Sequence, residues 1–157
     1  MKRIRAPFAD FAARNPRRSR QVTQEKVNAL GEIFKSPDEI LFHGTFDEAK
    51  REGNQRKKWI LVNILDYQDF QCLCMNRDTW SNHALQQEIK KHFLFWQTDA
   101  QLSDDYQRLY PVASFPHTAV LHPTGEQRLY HCGVMSAQEI MAGCTCYWAA
   151  GWLRETR

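Results

Sequence analysis

Residues 59–75 read WILVNILDYQDFQCLCM, from Trp59 to Met75. Trp59 to Leu65 is apolar at every position but Asn63, the pattern of a strand covered on both faces and therefore central in its sheet. Asp66 to Phe70 then turns the chain into a segment carrying Cys72 and Cys74. A cysteine pair after such a strand is where a thiol–disulfide oxidoreductase keeps its nucleophile. Redox chemistry, metal ligation and packing therefore compete as explanations of the pair.

Upstream, "GTFDEAKREGN" has Thr45 and Glu48 at capping-box spacing and predicts a helix closed by Gly53. Before it, "TQEKVNALGEIF" places Val27, Leu30 and Phe34 at helical spacing after a Thr23 cap, and Ser36-Pro37 ends the run. Downstream, "NHALQQEIKKHF" follows Ser81-Asn82 and predicts a helix burying Ala84, Leu85, Ile89 and Phe93. "FLFWQTD" is a second strand, and "SDDYQRLYPV" a short helix capped by Ser103 and stopped by Pro111.

"PHTAVLHPTGEQRLYHC" reads as two strands, 117–122 and 127–132, joined by a turn at Pro123 and Gly125. "SAQEIMAGCTCYWAAGWLRE" opens with Ser136 and Glu139 at capping-box spacing and aligns Ile140, Cys144, Tyr147, Trp148, Gly151 and Trp152 on one face. A strand–helix–strand unit, a hairpin and a closing helix predict an α/β fold. Its mixed sheet of about four strands, 59–65 parallel to 93–98 and the hairpin antiparallel, has helices on both sides and extra helices at the N-terminus.

The chain of 157 residues, 43% hydrophobic and 25% charged, suits one globular domain with some extra chain. Its net charge of +3 is uneven: residues 1–20 carry seven Lys or Arg against Asp10, so the remainder is net acidic. Residues 1–22 are read as a flexible basic lead-in and 23–157 as the folded domain. "ARNPRRSR" fits a solvated linker, with a nuclear-localisation or anion-binding patch as the alternative. A mildly acidic domain argues against a nucleic-acid binder. No apolar run approaches the ~18 residues of a membrane span. Five cysteines without a disulfide pattern point to a reducing compartment, cytoplasm or nucleus.

The pattern resembles the thioredoxin fold, which places a cis proline before the third core strand, facing the cysteine motif; Pro116 occupies that place here. Within that superfamily the runs "GTFDEAKREGNQRKKWILVNI", "QDFQCLCMNRDTWSN", "HFLFWQ" and "FPHTAVLHPTGE" are similar to the UAS domains of UBX proteins, over residues 30–155. The resemblance implies a non-catalytic adaptor domain whose partners are proteins of the ubiquitin system, including ubiquitin ligases and ubiquitinated substrates. It also implies docking on the valosin-containing AAA ATPase through a UBX domain outside this chain. The alternative it carries is a UAS domain that senses long-chain fatty acid.

Against the thioredoxin pattern Asp69 falls at the nucleophile position and Cys72 at the resolving one. A carboxylate cannot form the mixed disulfide through which exchange proceeds. Cys72 and Cys74 cannot substitute, because residues two apart on a helix diverge by about 200°. Structural zinc sites pair ligands at C-x₂₋₄-C, whereas both pairs here are Cys-x-Cys, so packing is the expected role of Cys74 and Cys144 and no metal or cofactor is expected. The six histidines are scattered, and no Ser or Cys has an evident base partner. Trp80, Trp96, Trp148 and Trp152 are expected in the core. The basic "QRKKW" at 55–59 is read as a solvated loop, with an acidic partner or a lipid carboxylate as the alternative. The candidate binding surface is the groove beside the cis proline, lined by Asp69, Phe70, Cys72, Phe115 and Pro116.

Overall fold

The structure is a computed structural model and describes residues 31–150, with side chains to Tyr147. The expected lead-in and most of the expected helix at 23–34 lie outside the described residues, as do the side chains of Trp148 and Trp152. Residues 31–33 are helical. From Ser36 onward the chain forms a separate compact unit.

In that unit helix α1 (Phe46–Arg56) leads to strand β1 (Trp59–Leu65). Helices α2 (Phe70–Asp78) and α3 (His83–His92) and strand β2 (Phe93–Asp99) follow. A 3₁₀ turn, Ala100–Leu102, precedes α4 (Asp104–Leu109). Strands β3 (His117–Leu121) and β4 (Gln127–Cys132) and helix α5 (Ala137–Ala150) close the fold.

The four strands lie in the order β2-β1-β3-β4, so β1 is interior and every one of its residues is buried, as its apolar run predicts. β1 and β2 are parallel, with Trp59 beside Phe93 and Asn63 beside Gln97. β3 is antiparallel to both β1 and β4. Leu41 bridges to Phe95 on the outer side of β2.

Alternate residues of the sheet feed two cores. Trp59, Leu61, Leu65, Phe93, Phe95 and Val120 meet Cys72 and Met75 of α2, Leu85 and Ile89 of α3, and Ile140 and Cys144 of α5. Ile60, Val62, Ile64, Leu94, Trp96, Ala119 and Leu121 meet Phe46 and Ala49 of α1 and Tyr106 of α4. Each fully buried aliphatic side chain here contributes roughly 1.5–3 kcal/mol. Trp80 and Trp96 are core residues, as expected.

The caps explain most of the boundaries. Thr45 and Glu48 form the reciprocal capping box of α1, and Ser136 and Glu139 exchange the same pair of bonds before α5. Asn82 caps α3 through the Leu85 amide.

Four local expectations are corrected. Gly53 does not end α1: it lies buried inside it against Ile60, and Lys57 takes the left-handed cap with φ 53°. Ser103 makes no side-chain cap, because its hydroxyl donates backward to the Ala100 carbonyl at 2.7 Å. Ala84 is exposed, since the stripe of α3 that faces the sheet passes through Leu85 and Ile89. In α2 it is Cys72 that is buried, while Cys74, two residues on and turned away from it, is only half-buried. Cys144 packs in the core as expected.

Candidate functional site

β1 delivers the chain to a tight loop at Asp66–Asp69. The Asp69 amide donates to the Asp66 carbonyl at 2.9 Å, and the Asp66 carboxylate accepts from the Gln68 amide at 3.0 Å. Asp69 then becomes the N-cap of α2, its carboxylate accepting from the Gln71 amide at 2.9 Å. A carboxylate at a helix N-terminus satisfies an orphan donor and complements the helix dipole. The position where a thioredoxin carries its nucleophile is therefore occupied by a capping residue.

Cys72 lies one turn into α2 and is fully buried. Burial pushes its thiol pKa up, the Asp69 and Asp66 charges and a hydrogen bond to the Asp69 side chain add to the rise, and a backbone hydrogen bond at Asp66 opposes it. A thiol so placed stays protonated at neutral pH and is a poor nucleophile. The helix thus brings Asp69 and Cys72 together, in a form that suppresses thiolate chemistry.

The Phe115-Pro116 peptide bond before β3 is cis, as the resemblance to the thioredoxin fold implies. Pro116 is buried, and its carbonyl accepts from the Gly133 amide at 2.8 Å. Phe115 is half-buried and packs against both cores, including the one that holds Cys72. Phe70 is 61% exposed at the start of α2, and Val134, next to Gly133, is 51% exposed. Two large apolar side chains thus stand exposed, one at the first residue of α2 and one next to Gly133, whose amide bonds the Pro116 carbonyl. Val134 was not singled out from the sequence, where only its place after Gly133 marked it; the structure gives that glycine φ 118°.

Beneath α2 lies a buried amide cluster that the sequence reading passed over. The Asn63 carbonyl oxygen accepts from Trp80 Nε1 at 3.1 Å and from Gln97 Nε2 at 2.9 Å. Its Nδ2 donates to the His117 carbonyl at 3.2 Å and to Thr118 Oγ1 at 3.3 Å, while Gln97 Nε2 also donates to Asn76 Oδ1 at 2.9 Å. β1, β2, β3 and α2 are pinned together directly below the site. The signal was present: WILVN and FLFWQ each carry one amide at the fifth position, and those two residues are register partners.

A cysteine–histidine contact also exists, contrary to the sequence expectation that none could be named. Cys132 Sγ lies 3.8 Å from His117 Nδ1, and His117 Nε2 is 2.8 Å from the Tyr106 hydroxyl. The β3–β4 register places the two residues directly opposite each other, which sequence separation alone did not reveal. Burial lowers the His117 pKa to about 4 and raises that of Tyr106. A ring that resists protonation is a weak base. Among the described residues no three His, Cys, Asp or Glu side chains converge as metal ligands, and no helix is long and apolar enough to cross a membrane.

The four-stranded sheet, its flanking helices and the cis Phe115-Pro116 bond define a thioredoxin-like protein. The family model described as thioredoxin-like matches residues 42–123, and the chain belongs to that family. It is 42% identical over 119 residues to a UBX domain-containing protein 7 homolog of Dictyostelium discoideum, covering 74% of this chain and 24% of the relative. It is 32% identical over 133 residues to UBX domain-containing protein 2 of Schizosaccharomyces pombe, covering 78% and 31%. The chain thus spans about a quarter to a third of these curated relatives, and its resemblance to the thioredoxin-like domain of UBX proteins is established. Among solved structures it is similar to a thioredoxin from Thermus thermophilus, with TM-score 0.61 and 16% identity, covering 71% of this chain and 88% of that one.

Proposed function

We propose that this domain is a non-catalytic protein-interaction module of a UBX-type adaptor, and that its binding surface is the groove between the α2 N-terminus and the cis-proline segment. The observation that carries the reading is the conversion of the nucleophile position into the Asp69 cap, with Cys72 buried behind it. The groove keeps the form of a peptide site without the means to attack a disulfide, and exposed Phe70 and Val134 offer it apolar anchors. The partners this reading names are proteins of the ubiquitin system, with the valosin-containing ATPase engaged by a UBX domain elsewhere in the full-length protein. The cytoplasm or nucleus is the matching compartment.

The test is affinity capture with this chain beside a Phe70→Arg bait, read by mass spectrometry. Phe70 is the clean probe, because truncating Phe115 disturbs both cores. Loss of a ubiquitin ligase or ligase substrate from the variant supports the reading; identical captures by both baits contradict the groove as the surface. A fatty-acid-sensing role remains the alternative from another class, and light scattering that changes on addition of oleate is the result it requires.

A further inference from the structure

Ser36-Pro37 is the only Ser-Pro or Thr-Pro pair in the 157 residues, and Asp38 and Glu39 follow it. Residues 35–37 have no regular secondary structure, and proline confines the residue before it to extended backbone, the form in which a kinase cleft accepts an acceptor serine. The Ser36 hydroxyl lies 3.5 Å from the Tyr67 hydroxyl, at the outer limit of a hydrogen bond, so little holds it in place. Tyr67 belongs to the Asp66–Asp69 loop that carries the α2 cap and leads into Phe70.

We propose that Ser36 is a phosphorylation site for a proline-directed protein kinase, and that the phosphate loosens the Asp66–Asp69 loop. In the transfer the Ser36 oxygen attacks the γ-phosphorus of ATP, the bond to the bridging oxygen breaks, ADP leaves, and the hydroxyl proton passes to the kinase base. The product carries about −1.5 to −2 charges and three acceptor oxygens where a neutral hydroxyl met Tyr67. Asp38 and Glu39 flank it, Asp66 and Asp69 sit in the loop across from it, and Lys35 is the one oppositely charged residue among its sequence neighbours. Bulk and like charge together separate Ser36 from Tyr67. Having lost its contact with the 36–40 segment, the loop opens its internal bonds from the Gln68 and Asp69 amides more often. This goes beyond the groove reading and does not depend on what the groove binds.

The test is incubation of the chain with ATP and a proline-directed kinase, followed by fragment mass analysis and amide exchange. The expected result is one phosphate on Ser36, none in Ser36→Ala, and exchange at the Gln68 and Asp69 amides about tenfold faster in the phosphorylated chain. Failure of Ser36 to accept phosphate while a Ser-Pro control peptide does overturns the site. Stoichiometric phosphate with unchanged exchange at those amides overturns the coupling to the loop.

Discussion

The Asp69 carboxylate caps the helix in which Cys72 is buried, and its negative charge helps raise the pKa of that thiol. The cap commits the carboxylate to the position a nucleophile would need, and the negative charge beside the sulfur favours the thiol over the thiolate. Thiol reactivity should therefore follow exposure and burial. At pH 7.5 iodoacetamide should label exposed Cys146 first, with Cys72 and Cys144 protected until unfolding. Burial pushes Cys144 up to about 12, which removes its thiolate at that pH. Peptide mapping of the labelled chain checks the order, and early labelling of Cys72 would count against its buried, protonated state.

His117 sets a pH dependence. Its folded pKa of about 4 lies below the ordinary value of 6.5, so the unfolded chain binds more protons between those limits. Stability is then full above about pH 6.5 and falls as pH drops toward 4, with a slope of up to ~1.4 kcal/mol per unit for one proton. Urea titrations at several pH values on the wild type and His117→Gln should show that part of the slope disappearing in the variant.

The Asn63 cluster should be costly to break. Asn63→Ala strips the partner from Trp80 Nε1, one of two acceptors from Gln97 Nε2, and a buried donor from the His117 carbonyl. A loss of about 2–4 kcal/mol is expected from the stranded polar groups and the void. It should appear in urea as a lower midpoint with an unchanged slope.

Lys57 offers a change in the other direction. A lysine at φ 53° is strained relative to glycine, so Lys57→Gly should raise stability by about 0.5–1 kcal/mol once glycine's greater unfolded entropy is subtracted. Thr45→Ala, which removes the hydroxyl that accepts from the Glu48 amide, should lower it by about 1 kcal/mol. Thermal melts of the two variants measure both signs.

The fold was legible because its signals were local. The apolar run at 59–65, the Thr45 and Ser136 capping boxes and the turn at Pro123-Gly125 each fix an element by short-range chemistry. The place of Asp69 relative to Cys72 was legible through the resemblance of this stretch to the thioredoxin pattern, and the cap it makes follows from its position before α2. What the sequence hid depends on register and helix phase. Asn63 and Gln97 look like lone polar residues until β1 lies beside β2. Cys132 meets His117 only across the β3–β4 ladder. Helix α2 is too weakly amphipathic for its sequence to show that Cys72, and not Cys74, faces the core. The cap at Lys57 was missed because Gly53 carries the usual signature, yet here Gly53 lies inside the helix, where a Cβ would press on Ile60 and the Lys58 carbonyl.

The most direct test of a non-catalytic domain is insulin-disulfide reduction, run on the wild type and on Asp69→Cys with dithiothreitol as reductant. The account predicts that the wild type matches the no-protein control. Asp69→Cys, which places a second thiol at the α2 N-cap three residues before Cys72, should form an internal disulfide and reduce insulin. Wild-type activity above the control, abolished by Cys72→Ser, would contradict the account.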